Sequence, residues 1–182
     1  MPASDAGAPG RVPARRRGPT VAADAARHRR LEIRPGVGNA VTCLFCAIAA
    51  GDIPSAVLAE DERAFAFLDI NPLAAGHALV VPKRHAERIE ACAPEDLAAV
   101  MGLAQRLLPA LAQATGAPDA TVAFNNGPAA GQEVGHLHLH VVPRKAGDGH
   151  GPVHRLFGGP KKAPTEELHD LAVRVQGLLG AR

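Results

Sequence analysis

Three histidines alternate with aliphatic residues in the segment GHLHLHVV, which spans residues 135–142. In a β-strand, side chains two residues apart point to the same face, so His136, His138 and His140 would lie side by side. Such a row supports two kinds of chemistry. The imidazoles could hold a catalytic zinc ion, or one neutral imidazole could act as a nucleophile while a hydrogen bond fixes its second nitrogen. Three incidental core histidines are a weaker explanation, because buried imidazoles need hydrogen-bond partners.

The loop before these histidines is rich in glycine. Gly127, Gly131 and Gly135 could leave backbone N–H groups free to approach an anion. Gln132 adds a neutral hydrogen-bond donor. A phosphate bound there would face the middle histidine, which favours the nucleophile. Residue types alone leave the two hypotheses nearly balanced.

A second group of reactive residues is the C-x-x-C pair formed by Cys43 and Cys46. It could be a redox pair, half of a zinc site, or two unoccupied thiols. A redox pair is expected between a strand and a helix of a thioredoxin-like unit, and this chain lacks that context. Cys92 stands alone and is interpreted as a packing residue. An odd number of cysteines and no apolar signal segment predict a reducing compartment, so we expect a cytoplasmic protein.

Short elements must position these residues. The pattern predicts a helix near residue 43 that is stopped by Gly51 and Pro54. Two strands follow, around the acidic turn at 60–62, and a third strand ends at Pro82. The fourth strand is DATVAFNN, and the fifth carries the three histidines.

Two longer helices complete the pattern. Residues 93–115 are predicted to be helical and to end at Gly116, with Pro109 expected to kink or split the helix. A last amphipathic helix is expected at 165–179, with Thr165 as its N-cap. Hairpins flanked by helices predict an α+β fold with an antiparallel sheet of about five strands.

The composition and charge of the chain limit the kinds of partner that we expect it to bind. Hydrophobic residues make up 47% of the 182 residues and charged residues 21%, as in globular proteins. The first 34 residues hold eight arginines and three acids, and the rest is slightly acidic, so we expect no nucleic-acid partner. No apolar run is expected to span a membrane. Residues 1–40 are predicted to be a disordered basic tail, and 41–182 the folded domain.

The segment GHLHLHVV resembles the signature of the histidine triad superfamily. The stretch CLFCAIAAGDIPSAVLAEDERAFAFLDINPLAAGHALVVPKRH is similar to the N-terminal half of its bacterial members, and FNNGPAAGQEV resembles their phosphate loop. The resemblance covers about residues 42–145, in the family's order and spacing. It implies a homodimer that binds a purine nucleotide and transfers or hydrolyses nucleotidyl groups through a covalent nucleotidyl-histidine.

Roles for individual residues follow from the resemblance. His138 would be the nucleophile, supported by His140, Gln132 and His77. Asp69 would bind the ribose hydroxyls. The remaining nucleotide contacts would come from the phosphate loop and an apolar slot for the base: Leu44, Phe45, Ile48, Ile70, Asn125, Gly131 and Val134. Gly135 stands where many relatives carry a larger residue, which leaves substrate selectivity open.

The resemblance also implies a structural Zn²⁺ held by the cysteine pair, His85 and His136. The resemblance therefore implies that His136 binds a metal, whereas His138 and His140 act on a nucleotide. No acidic cluster is present to hold magnesium, so none is expected to be required. A hydrolase with a zinc tripod and a non-catalytic nucleotide-binding module stay as alternatives, and the resemblance leaves the natural substrate open.

Overall fold

The structure, a computed structural model, describes residues 43–158 and 163–180. Its five strands form one antiparallel sheet in the order β1-β2-β3-β5-β4, which confirms the predicted α+β class. The predicted tail lies outside the described residues. In chain order the helices and strands are α1 (Leu44–Ala50), β1 (Val57–Glu60), β2 (Ala64–Leu68), β3 (Ala78–Pro82), α2 (Pro94–Thr115), β4 (Asp119–Phe124), β5 (Leu139–Arg144) and α3 (Thr165–Gly180).

The two faces of the sheet are covered unequally. Alternating small residues of the central strands, such as Ala66 and Val80, pack against the long helix α2 together with Leu139. The opposite face carries Phe65 and Phe67 and is covered by Phe45 of the seven-residue helix α1. Because the rings of His138 and His140 alternate with Leu139, they belong to this thinly covered face, where a ligand can approach.

Helix α2 departs from two expectations. By length and composition it meets the criteria for a membrane span, so the expectation that no run is long enough was wrong. Within the described structure one side of it, including Val100 and Leu103, is buried against the sheet. Pro109 does not split the helix. Because proline has no N–H, the carbonyl of Gln105, four residues earlier, loses its helical hydrogen bond. Gln105 is exposed, so water can donate to this carbonyl instead.

A buried carboxylate fixes the start of α2. Asp96 is 3% exposed and pairs with Arg63 and Arg84, both at 2.9 Å. Two cations at one buried acid compensate its desolvation. Since Arg84 immediately precedes His85, this pairing also holds in place the segment that leads to the predicted metal ligand.

Two boundaries differ from the sequence prediction. The fifth strand begins at Leu139, so His136 and His138 lie in the segment leading into it. The ladder with β3 stops there because Pro82 has no N–H to donate and its carbonyl accepts a bond from the His136 ring. Thr165 is the first residue of α3 rather than its cap, and the carbonyl of Pro164 accepts the N–H of Leu168.

Candidate functional site

The first triad histidine turns toward the cysteine pair. The Nε2 of His136 lies 2.9 Å from the carbonyl oxygen of Pro82, so this nitrogen carries the proton and donates it. Its Nδ1 therefore has a free lone pair. That atom lies 3.3 Å from the Sγ of Cys43 and 3.5 Å from the Sγ of Cys46. His136 is fully buried and so is presented to the sulfurs in one fixed orientation.

His85 completes this group, which we call the metal cluster: Cys43, Cys46, His85 and His136. Its Nδ1 lies 3.4 Å from the Sγ of Cys46, and all four ligand atoms lie within 4.8 Å of one another. In tetrahedral zinc sites, Zn–S bonds of about 2.3 Å and Zn–N bonds of about 2.0 Å imply S···N separations of roughly 3.6 Å. The donor set and its spacing therefore fit zinc.

The chemistry of the sulfurs agrees with a cation between them. Burial and the neighbouring Cys43 thiol raise the pKa of Cys46 to about 11. A thiolate at this position near neutral pH therefore needs a positive charge beside it. Bound zinc would supply a structural cross-link between α1 and the segments that carry His85 and His136.

The middle histidine presents the opposite nitrogen. The Nδ1 of His138 lies 2.7 Å from the carbonyl oxygen of His136 and donates its proton to it. In the neutral form of the ring, the lone pair then belongs to Nε2. The ring is held edge-on against Phe45 and His140, with centroid separations of 5.2 and 4.9 Å. The hydrogen bond therefore decides that, in a neutral ring, Nε2 is the nitrogen free to attack an electrophile.

A second pair of histidines lies beside it. The Nε2 of His77 is 3.0 Å from the Nδ1 of His140, and the backbone N–H of Leu73 donates to the Nδ1 of His77 at 3.2 Å. Because a backbone N–H can only donate, His77 must donate from Nε2, and His140 must carry its proton on Nε2. That nitrogen is buried and has no partner among the described residues. It is a buried N–H donor that lacks an acceptor in the described part of the chain.

We call His77, His138, His140 and Asp69 the transfer site. Burial lowers the pKa of His77 and lowers that of His140 to about 4, where the neighbouring His138 and His77 add to the effect. Asp69 lies 3.4 Å from the Nδ1 of His77, a contact that becomes an ion pair only when His77 is protonated. The lowered pKa and the bond from Leu73 favour neutral His77. One oxygen of Asp69 accepts the N–H of Asn71 at 2.8 Å.

The glycine loop does not offer the N–H groups that the sequence predicted. Gly127 donates to the Oε1 of Gln132 at 2.7 Å, and Gly131 donates to the carbonyl of Pro128 at 2.9 Å. The expectation that both were free was wrong, because the Gln132 side chain takes the first and the turn at Pro128–Ala130 takes the second. Within the described residues no hydrogen bond engages the N–H of Gly135, and Asn125 makes only a long contact of 3.5 Å.

The predicted base slot is open rather than enclosed. Phe45 is buried, whereas Leu44 is 44% exposed and Ile70 is 91% exposed. Ile48 and Val134 are partly buried and pack against the aromatic cluster around Phe45. A planar base could lie on this apolar patch.

The structure brings the predicted residues together as two adjacent groups instead of one tripod. Among the described residues, no group of possible metal ligands contains more than one of His136, His138 and His140. Sequence reasoning missed the backbone atoms that decide this division, namely the carbonyls of Pro82 and His136 and the N–H of Leu73. No side-chain pattern reveals them, because the carbonyl of Pro82 is brought to His136 by the fold and the other two depend on the local backbone conformation.

Comparisons with known proteins show that the chain is similar to proteins of one family. The model of the HIT domain family matches residues 50–147. An uncharacterized HIT-like protein of Methanocaldococcus jannaschii is 44% identical over 59% of this chain and 82% of its own length. An adenosine 5'-monophosphoramidase of Schizosaccharomyces pombe is 40% identical over 57% and 75%. An adenylylsulfatase of Arabidopsis thaliana is 40% identical over 58% of this chain and 54% of its own.

Solved structures agree with the fold. A protein from Streptococcus mutans superposes with a TM-score of 0.70 and 36% identity, covering 78% of this chain and 88% of its own. A zinc-bound histidine triad family protein from Mycobacterium smegmatis has a TM-score of 0.57 and 42% identity, with coverage of 59% and 78%. The second structure shows that a protein of similar sequence binds zinc.

Proposed function

Because this chain belongs to the HIT domain family, we propose that it is a nucleotide hydrolase or nucleotidyl transferase whose nucleophile is the Nε2 of His138. The single observation that carries the proposal is the hydrogen bond from the Nδ1 of His138 to the carbonyl of His136. It leaves a neutral nitrogen with a free lone pair beside the unpartnered donor of His140. The relatives named as a monophosphoramidase and an adenylylsulfatase both act on adenylyl compounds, which supports AMP as the transferred group.

The first step follows from this geometry. The Nε2 of His138 attacks the α-phosphorus, an N–P bond forms, and the bond to the leaving amine, phosphate or sulfate breaks. The Nε2–H of His140 lies ready to donate to a phosphate oxygen, where negative charge is spread during transfer. The leaving group takes its proton from the site or from solvent. The positive charge on the phosphorylated ring is stabilised by the carbonyl of His136.

The second step regenerates the enzyme. Water attacks the phosphorus, the N–P bond breaks, AMP departs, and His138 returns to the neutral form. In this proposal Asp69 receives the ribose hydroxyls, and Asn125 and the N–H of Gly135 contact the phosphate. The patch of Phe45, Ile48 and Val134, with Leu44 and Ile70 at its exposed edge, receives a purine. The metal cluster takes no part in the chemistry, and we propose that no magnesium is required.

Adenosine phosphoramidates and dinucleoside polyphosphates are the substrates we propose to test first. A rapid denaturing quench of the wild-type protein at alkaline pH, where the N–P bond survives, should trap AMP covalently on the chain, and peptide mapping should locate it at His138. The variant His138→Ala should lose about 10³-fold or more in turnover with no adduct. The matched control His169→Ala removes an exposed histidine of α3 and should turn over normally. Equal rates for wild type and His138→Ala would refute the assignment.

The alternative functions give other results in the same assay. A catalytic zinc tripod would lose turnover at once and reversibly on chelation, whereas we expect chelation to lower stability first. A binding module without turnover would bind AMP and form no adduct. We further propose a cytoplasmic homodimer, and light scattering on the purified protein tests its oligomeric state.

A further inference from the structure

The carboxamide of the half-buried Gln132 is hydrogen-bonded through both its oxygen and its nitrogen to backbone groups. Its Oε1 accepts the N–H of Gly127 at 2.7 Å. Its Nε2 donates to the carbonyl of Glu87 at 2.7 Å and to that of Val134 at 3.1 Å, with the carbonyl of His136 at 3.5 Å. The orientation of the amide is fixed, because the N–H of Gly127 needs an acceptor and the carbonyls need a donor.

These bonds join three segments that meet at the transfer site. Gly127 opens the glycine loop, Glu87 lies two residues after the metal-cluster residue His85, and His136 precedes the nucleophile. The carbonyl of His136 is the same oxygen that accepts the Nδ1–H of His138 at 2.7 Å. One side chain therefore connects the loop to the backbone group that sets the tautomer of His138.

The loop needs such support. Gly127 and Gly131 have φ angles of +104° and +90°, which glycine adopts freely, so the backbone itself offers little resistance to rearrangement. Without Gln132, the N–H of Gly127 and the carbonyls of Glu87 and Val134 would lose their partners. Asn125, whose amide contacts the carbonyl of Gly131, would then be held less firmly.

We propose that Gln132 is a positioning residue, which holds the glycine loop and the His136 carbonyl in place for attack by His138 and makes no contact with the phosphate. This inference rests on the proposed function and differs from the phosphate contact that the sequence predicted. Both amide hydrogens already have backbone acceptors, so a phosphate contact would require breaking one of these bonds.

Gln132→Met tests the proposal because methionine is close to glutamine in length and shape but cannot form these hydrogen bonds. We expect kcat with an adenosine phosphoramidate to fall roughly 10- to 100-fold, in the range for a displaced catalytic group. The Kd for AMP should rise by less than about threefold, because the loop with Asn125 and Gly135 is loosened while no direct contact of Gln132 with the phosphate is lost. Gln105→Met, the same change at an exposed position of α2, is the matched control and should alter neither value.

A spectroscopic measurement separates positioning from phosphate binding. In amide ¹H–¹⁵N spectra of the wild-type protein, the side-chain NH₂ signals of Gln132 should move little when AMP is added. In Gln132→Met, long-range ¹H–¹⁵N spectra of the histidine rings should show a mixture of tautomers at His138. If Gln132→Met does not fold, Gln132→Glu keeps an acceptor for Gly127 and replaces the donors with a negatively charged oxygen. The same kcat loss is expected, and the Kd of this variant is not compared because the added charge repels AMP.

Two results would overturn the inference while leaving the proposed function intact. One is a tenfold or greater rise in the Kd for AMP, accompanied by a large shift of the Gln132 signals on AMP binding. The other is a kcat equal to that of the wild type in a folded Gln132 variant. Absence of turnover or of an adduct in the wild type would instead refute the proposed function, and the positioning role with it.

Discussion

The metal cluster and the transfer site use the same residue type in opposite ways. His136 donates from Nε2 to a carbonyl and keeps the lone pair of Nδ1 for the sulfurs. His138, two residues later, donates from Nδ1 and keeps the lone pair of Nε2. The two side chains have the same chemistry, so the difference comes from which ring nitrogen a backbone carbonyl occupies. The sequence alone does not show which ring nitrogen of a histidine carries the proton and which carries the lone pair. The fold decides this through the backbone groups that it places beside the ring.

The comparison extends to the neighbours of each ring. In the metal cluster the lone pairs of two histidines converge with two sulfurs within 4.8 Å, a set of donors that is completed by a cation. In the transfer site a series of hydrogen bonds runs from the N–H of Leu73 through His77 to His140, and it ends in the buried Nε2–H donor of His140. The first group is suited to a cation and the second to an anion, although they adjoin along one segment.

Removal of one ligand of the metal cluster should give the largest effect that distinguishes the two groups, because it should affect zinc content and stability far more than turnover. His85 is exposed, so His85→Ala leaves no cavity in the core. We expect bound zinc to fall from one per chain to a small fraction. Stability should fall by about 3 kcal/mol, because metal binding is coupled to folding, and the melting temperature by roughly 10 °C.

Metal analysis and thermal unfolding measure the result for His85→Ala, with His169→Ala as the control. Turnover of the folded fraction should change far less than in His138→Ala. A variant that retains a full equivalent of zinc, or that loses chemistry before stability, would show that the two groups are not separate in function.

The sequence predicted the outline of this division but not its mechanism. Alternation of histidine with Leu137 and Leu139 placed the rings on one face, and the C-x-x-C pair pointed to a metal. The segment before Leu139 is not part of the ladder because Pro82 has no N–H to donate and its carbonyl accepts from the His136 ring, a consequence of tertiary pairing. The glycines predicted N–H groups that are free for an anion, yet the side chain of Gln132 takes the N–H of Gly127 and the carbonyl of Pro128 takes that of Gly131. Local patterns show what a backbone can do, whereas its hydrogen-bond partners depend on the whole fold.

A glycine beside the transfer site offers a perturbation of similar size that spares the metal cluster. Gly76 precedes His77 and has a φ of +81°, and an added Cβ would lie 2.6 Å from the Cγ2 of Thr115. Gly76→Ala should therefore cost about 3 kcal/mol, from backbone strain and overpacking together. Zinc content should stay at the wild-type level.

Urea unfolding and metal analysis test the Gly76 prediction. The control is Gly102→Ala, in the middle of α2, where an added Cβ meets nothing within 4 Å and alanine favours the helix. Equal destabilisation by both substitutions would contradict the strain argument. Loss of zinc in folded Gly76→Ala would mean that the two groups are mechanically coupled.

The smallest expected effect is on the pH dependence of stability, through the protonation of His140. His140 has a folded-state pKa of about 4 against an ordinary value of 6.5, so the unfolded chain binds the proton more tightly. Its contribution to stability is complete above pH 6.5 and is lost as the pH falls toward 4. The full shift corresponds to about 3 kcal/mol, and partial exposure reduces this to about 1–2 kcal/mol. His140→Asn keeps an acceptor for the Nε2–H of His77 but removes the titrating group.

Urea unfolding between pH 7 and pH 4 should therefore show a steeper loss of stability in the wild type than in His140→Asn. Zinc release at low pH affects both proteins, since both keep all four ligands, and it cancels in the difference. His169→Asn, on the exposed helix α3, should follow the wild type. Parallel curves for wild type and His140→Asn would show that His140 is not held neutral by burial. The contrast between a cation-binding and an anion-binding group of histidines would then rest on hydrogen-bond geometry alone.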